Sequence, residues 1–236
     1  MKATKSMKRS FLAVGCTGLT LCGGLAQAAI TLNFANDAGS TMVFNQSTPS
    51  SFSFTSVGGG SPSQNNWQWY ITSVGGGAGT SLGDVGWFAS PAGPWTFGPI
   101  ATSGDVQSAP IDPSVGATIS IFDGSATWTG TVTWGTIATV GYAGSVQNDN
   151  VTVNVNNIQY VGGADPDLVG MGSAASLTIS FQFAPGKTLS QLATGGPWQT
   201  SYSGTLVDAV PEPTTLVAGL GAIGLALLGL GSRRGR

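Results

Sequence analysis

Short runs of alternating apolar and polar residues, broken by clusters of Gly, Pro, Asn and Ser, dominate residues 29–209. Period-two alternation is the pattern of strands with one buried face, and no stretch of this region sustains a helical period. Ile30, Leu32 and Phe34 share a face, as do Met42 with Phe44, Phe52 with Phe54, and Trp67 with Trp69 and Ile71. The clearest case sets Trp128, Val132 and Trp134 against Thr127, Thr129, Thr131 and Thr133, which predicts a core face and a wet threonine face. Val151, Val153 and Val155 alternate with polar residues as far as Asn156 and Asn157, after which Ile158 and Tyr160 carry the apolar side. That one-residue switch predicts a β-bulge. Leu177, Ile179, Phe181 and Phe183 form another strand, and Tyr202 with Leu206 a last one.

These patterns predict one all-β domain, a β-sandwich or jelly roll of about eight to eleven strands. The motif Thr-Ser-Val-Gly-Gly-Gly occurs at residues 55–60 and again at 72–77, each copy reading as a strand exit, with residues 58–66 and 75–83 as mobile loops. The longest irregular stretch, residues 90–116, carries Pro91, Pro94, Pro99, Pro110 and Pro113. Loops of such length are often functional, although a short edge strand near residues 95–100 also fits.

Two longer apolar runs flank the domain. Lys2, Lys5, Lys8 and Arg9 precede residues 11–25, and Ala26-Gln27-Ala28 places small residues where a signal peptidase reads. Residues 1–28 are thus expected to be a secretory signal peptide, with Ala29 the mature start. The alternative, an uncleaved anchor helix, is disfavoured by Gly15, Gly18, Gly23 and Gly24, which make the segment short and weakly helical. At the other end, residues 214–231 are a charge-free run of roughly 18 residues, enough at helical rise to span a hydrocarbon core. Arg233, Arg234 and Arg236 follow it, and the positive-inside bias puts the C-terminus in the cytoplasm.

Composition removes several function classes. Cys16 and Cys22 are the only cysteines, both in the segment expected to be cleaved, and the chain has no histidine. Ser-His-Asp and Cys-His catalysis, histidine bases and ordinary zinc sites are excluded. Between Arg9 and Arg233 the only cation is Lys187, whereas Asp37, Asp84, Asp105, Asp112, Asp123, Asp149, Asp165, Asp167 and Asp208 are acidic. Such a surface cannot neutralise phosphates, so nucleic acid is excluded as a partner.

Three constellations remain as candidate chemistry, each with a plainer reading. Trp87, Phe88, Trp95 and Phe97 gather at the proline-rich stretch, where exposed rings would stack on sugars and buried ones would extend the core. Asp165-Pro166-Asp167 and Asn148-Asp149-Asn150 are oxygen-rich and suit either a calcium ion or an ordinary turn. A glycosidase needs two carboxylates at a set separation, but no pair stands out among the aspartates and no glutamate precedes Glu212. No enzyme activity, cofactor or metal is expected.

The order Pro211-Glu212-Pro213, one short apolar run, then Arg233, Arg234 and Arg236 resembles the sorting tail of PEP-CTERM proteins, the substrates of exosortases. The resemblance covers residues 210–236 alone. It implies that Pro211, Glu212 and Pro213 form the recognition element and that the helix holds the protein in the inner membrane. The arginines would then enforce topology, and an exosortase would cleave near the motif. Because such proteins occur in bacteria that make extracellular polysaccharide, it also implies a cell-surface or matrix role. The expected organisation is a signal peptide (1–28), a β body (29–209) and a sorting tail (210–236).

Overall fold

The computed structural model describes residues 28–141 and 149–209. The expected signal peptide up to residue 27, the motif Pro211-Glu212-Pro213, the apolar run 214–231 and the arginines Arg233, Arg234 and Arg236 lie outside them. Fourteen strands and two short helices follow in chain order. They are β1 (Thr31–Asn36), β2 (Met42–Asn45), β3 (Ser51–Phe54), β4 (Trp69–Gly75), β5 (Val85–Ala89), β6 (Trp95–Thr96), β7 (Ala101–Ser103), β8 (Val106–Pro110), β9 (Ala117–Phe122), β10 (Thr127–Val140) and β11 (Asp149–Tyr160). Then come α1 (Pro166–Gly170), β12 (Ala174–Phe181), α2 (Leu189–Thr194), β13 (Trp198–Thr200) and β14 (Tyr202–Asp208).

The protein is mostly β, and its larger sheet is barrel-like. Eight antiparallel strands run in the order β11-β12-β14-β1-β4-β5-β9-β10, and β10 pairs back onto β11, so the sheet closes on itself. Closure removes the open edges that a free sheet would have to protect. The hairpin of β7 and β8 branches from the later half of β10. A second, four-stranded sheet runs in the order β13-β2-β3-β6.

Antiparallel pairing sorts the connections between two ends. One end receives the start of β1, the finish of β14 and the links β4–β5, β9–β10 and β11–β12; it is called the terminal end below. The opposite end emits β2 and β3, β6 to β8, and α2 with β13, whereas α1 lies on the β11–β12 link of the terminal end. The second sheet packs from this insertion end, where Phe44 lies 5.1 Å from Phe181, Phe54 lies 4.8 Å from both Phe88 and Tyr202, and Trp95 lies 5.0 Å from Trp134.

Alternation placed most of the core correctly. Ile30, Leu32, Phe34, Met42, Phe44, Phe52, Phe54, Leu177, Ile179, Phe181, Tyr202 and Leu206 are all buried. Trp128, Val132 and Trp134 point into the barrel while Thr131 and Thr133 are exposed. The bulge on β11 is also present: the register against β10 shifts between Thr129 and Thr131, Asn157 takes φ 52°, and the inward side passes from Val155 to Ile158. Asparagine tolerates that left-handed conformation better than a branched residue would.

Three expectations need correction. Residues 90–116 are not one irregular loop: the alternative short edge strand is present as β6, and β7 and β8 lie within them as well. Prolines obscured these strands, yet short edge or terminal strand positions tolerate proline. Residues 75–83 are not free either, since their backbone is tied to Asp167 across the barrel mouth. Trp67 is only half-buried and its indole N–H donates to Asp37 Oδ2 at 2.6 Å, while the neighbouring Gln68 is buried.

Gln68 precedes β4 and joins the two sheets. Its Oε1 accepts from Phe88 N at 2.7 Å, and its Nε2 donates to Phe88 O at 3.2 Å and to Phe54 O at 3.3 Å. The Tyr202 hydroxyl donates to the Gln68 carbonyl at 3.1 Å. Leucine at this position would keep the bulk and orphan a buried backbone N–H, so Gln68→Leu is expected to cost about 2 kcal/mol. A chemical-denaturation midpoint equal to that of the parent would show that the amide carries no structural role.

Candidate functional site: the carboxylates at the terminal end

The titratable groups that converge in this molecule do so at the terminal end. Asp84 ends the β4–β5 link, Asp123 opens the β9–β10 turn, and Tyr160, Asp165 and Asp167 lie on or after β11. The barrel geometry alone brings these sequence-distant residues together.

Asp165 caps α1. Its Oδ1 accepts from Asp167 N at 2.8 Å and Leu168 N at 3.1 Å, satisfying donors that a helix start leaves free, and Pro166 fits the first turn because it has no N–H to lose. The same oxygen accepts from the hydroxyls of Thr80 and Ser81, each at 3.0 Å. Asp167 is buried, with Ser81 N at 3.1 Å and the Thr80 hydroxyl at 3.0 Å on Oδ2, and Ala78 N on Oδ1. Two carboxylates therefore hold the β4–β5 link against α1. Burial works against ionised Asp167, but the donors from Ser81, Ala78 and Thr80 outweigh it and hold its pKa below the usual value.

Asp123 is served in the same way. Its Oδ1 accepts from Ser125 N at 2.7 Å and Ala126 N at 2.6 Å, closing the turn, and its Oδ2 accepts from the Tyr160 hydroxyl. The Tyr160 oxygen in turn accepts from Asp165 N at 3.1 Å. Burial pushes the Asp123 carboxyl up, but Tyr160, Ala126 and Ser125 together bring it to about 2. Burial and the bond donated to Asp123 push Tyr160 up to about 12.

Asp84 is the exception. Its Oδ2 is buried without a hydrogen-bond partner, and desolvation, followed by the charges of Asp165, Asp123 and Asp167, raises its pKa to about 7. Split carboxyl pKa values are the pattern of acid–base pairs, but the oxygens of Asp123, Asp165 and Asp167 are already engaged by turn and cap donors. Among the described residues no group of three or more His, Cys, Asp or Glu is arranged to hold a metal ion. The arrangement is a clasp between loops made by Asp165 and Asp167, with the Asp84 carboxyl partly buried near their charges.

The chain matches no protein-family model, no curated protein and no solved structure.

The aromatic candidates of the proline-rich stretch do not form an exposed platform. Trp95 and Phe97 are buried at 3% exposure, with Trp95 among Phe52, Phe54 and Trp134. Phe88 is buried as well, and only Trp87, half-buried on the outward side of β5, retains access to solvent. The candidate ligand loop of Trp87, Trp95 and Phe97 is thus corrected to a core contribution from two of the three, because β6 pairs with β3 and carries Trp95 inward. Asp165-Pro166-Asp167 takes its turn reading, as a helix cap. Asn148 lies outside the described residues, while Asp149 and Asn150 open β11. Sequence reasoning missed Asp84 and the Tyr160–Asp123 pair, which only the ring order of the strands brings together.

A pH response follows. Folded Asp84 keeps its proton to about pH 7, whereas the unfolded carboxyl releases it near 3.8, so the folded state binds the extra proton between those values. This contribution is fully present below the unfolded value and is lost as pH rises through 7. Because the residue keeps some access to solvent, screening reduces its size to about 1–2 kcal/mol. Asp123 has the opposite sign: its contribution is present above 3.8 and lost as pH falls toward 2. Melting temperature is expected to peak near the unfolded carboxyl value and to fall from there to about pH 7, above which Asp84 adds no further slope. Asp84→Asn should flatten the fall, and an unchanged slope in that variant would remove Asp84 as its cause.

Proposed function

We propose that the protein is exported, sorted by an exosortase through its C-terminal tail, and serves a non-enzymatic structural or interaction role at the cell surface or in the extracellular matrix. The observation that carries this reading is the tail order: Pro211-Glu212-Pro213, an apolar run, then Arg233, Arg234 and Arg236. The body supports it in two ways. Its last strand is fixed right up to the tail, with Asp208 N donating to Ile30 O at 2.9 Å and Ala209 N to Ala174 O at 3.1 Å, so the motif follows a firm edge. Its carboxylates serve as caps and clasps, which suits a scaffold better than a catalyst. The burial of Trp95 and Phe97 favours this reading over a lectin-like module.

Under this reading the tail is removed after export, with the body outside the inner membrane and the C-terminus in the cytoplasm. In producing cells, Glu212→Ala should accumulate as the tailed form, separated by mass in a pulse-chase from the shortened parent. Normal shortening of Glu212→Ala would eliminate the sorting role. A surface-purified parent still carrying residues 214–231 would instead indicate permanent anchoring.

A further inference from the structure

The terminal end gathers the first and last described strands' outer ends and the most exposed apolar side chains described. Thr31 pairs with Val207, and Asp208 N bonds Ile30 O, so the chain enters and leaves the body side by side. Leu82, Val161 and Val169 are 60%, 82% and 62% exposed, more than any other large apolar side chain described. All three lie on links of this end: Leu82 between β4 and β5, Val161 just after β11, and Val169 in α1. The loops that carry them are held to one another, because Thr80 and Ser81 donate to Asp165 and Asp167. By contrast, Val106 and Val140 face each other across the β8–β10 pairing toward the insertion end and are 38% and 43% exposed.

What would cover this patch is indicated by the chain itself. Only residues 210–213 separate Ala209 from the apolar run that begins at Thr214, a reach of at most about 18 Å when fully extended. Once that run is in a bilayer, the terminal end is confined to the bilayer surface. Among the described residues, Asp84, Asp123, Asp165, Asp167 and Asp208 lie at this end without a cation, while Lys187 sits over Trp198 at 3.6 Å next to β13, on the insertion side. An anionic surface would be repelled, so the complementary one is uncharged overall.

We infer that the terminal end is the membrane-facing end of the body, and that Leu82, Val161 and Val169 rest in the interface of zwitterionic lipid while the tail is attached. The inference rests on the proposed reading of the tail as a membrane segment. It gives the body a fixed orientation in which the insertion end, with the second sheet and the β7–β8 hairpin, points away from the membrane.

The test uses the full chain with Cys16 and Cys22 replaced by serine, reconstituted in phosphatidylcholine vesicles containing spin-labelled lipid. A fluorophore is attached at one engineered cysteine at a time: Val161→Cys at the terminal end, Thr102→Cys on β7, or Leu225→Cys within the tail. Lipid quenching at Val161 is expected to exceed that at Thr102 by about threefold, as for side chains set into the headgroup boundary, with Leu225 quenched by the deepest label. Quenching at Leu225 with equal quenching at Val161 and Thr102 would overturn the inference and leave the tail reading standing. Absence of quenching at Leu225 would remove the tail reading and the inference with it. Copies cross-linked through Val161→Cys and protected from lipid would overturn the inference in favour of a second copy as the covering partner.

Discussion

Replacing Trp128 or Trp134 by alanine is expected to lower the free energy of unfolding by about 3 to 5 kcal/mol, because each empties a large volume in the closed barrel. Trp128 is fully buried and Trp134 is 4% exposed, packed edge-on to Phe52 at 5.5 Å and near Trp95 at 5.0 Å. Neither indole N–H has a hydrogen-bond partner, so phenylalanine would forfeit packing without orphaning a polar contact. The Phe variants should therefore fall well short of the alanine loss. Denaturant midpoints at unchanged slope provide the measurement. Alanine variants that unfold at the parental midpoint would mean that the inward face of β10 is misassigned.

The second large effect concerns glycines that lie opposite aromatic rings. Trp69 pairs with Gly86 across β4 and β5, and Phe34 pairs with Gly204 across β1 and β14. A Cβ on Gly86 would fall inside the Trp69 indole, and one on Gly204 would meet the Phe34 ring and lie 2.6 Å from the Thr178 carbonyl oxygen. Each glycine is the space its partner ring occupies. Gly204→Ala is expected to cost about 3 kcal/mol, the upper range for overpacking, since a backbone oxygen cannot move aside. Gly86→Ala meets only a side chain and should cost less. Trimming the partner distinguishes the two: Trp69→Leu should recover part of the Gly86→Ala loss in a double-mutant cycle, whereas Phe34→Leu should not rescue Gly204→Ala. Additive losses at Trp69 and Gly86 would show that the ring and the glycine are not coupled.

These glycines mark the limit of what alternation conveys. Within β10, Trp128 and Trp134 face inward by their spacing alone, and the switch at Asn156 and Asn157 locates a bulge because a one-residue slip changes the face of all later side chains. Nothing local marks Gly86 as a partner of Trp69 rather than a turn residue, since their pairing depends on the register between two strands. Gln68 is similar. An amide between two tryptophans reads as an outward residue, yet the chain brings it between β3 and β5, where Phe88 and Phe54 consume its hydrogen-bonding groups.

The candidate site was legible only in part. Asp165 and Asp167 could be read as oxygen-rich turn residues, but the choice of cap over ion site depends on which donors arrive, and Thr80 and Ser81 come from a loop more than eighty residues away in sequence. Asp84 had no local mark, because its raised pKa comes from burial and from carboxylates delivered by two other links of the barrel.

By itself, the sequence determined the all-β class, most inward faces, the bulge, the absence of histidine, and the tail pattern on which the proposed function rests. These follow from local periodicity and residue inventory, which need no knowledge of distant neighbours. Tertiary structure alone decided that the larger sheet closes between β10 and β11, that the start of β1 and the finish of β14 share one end of the barrel, that Trp95 and Phe97 are core, and that the scattered aspartates converge. The physical reason is common to all four: each depends on strand order and register, which are set by the collective packing of strands far apart in the chain.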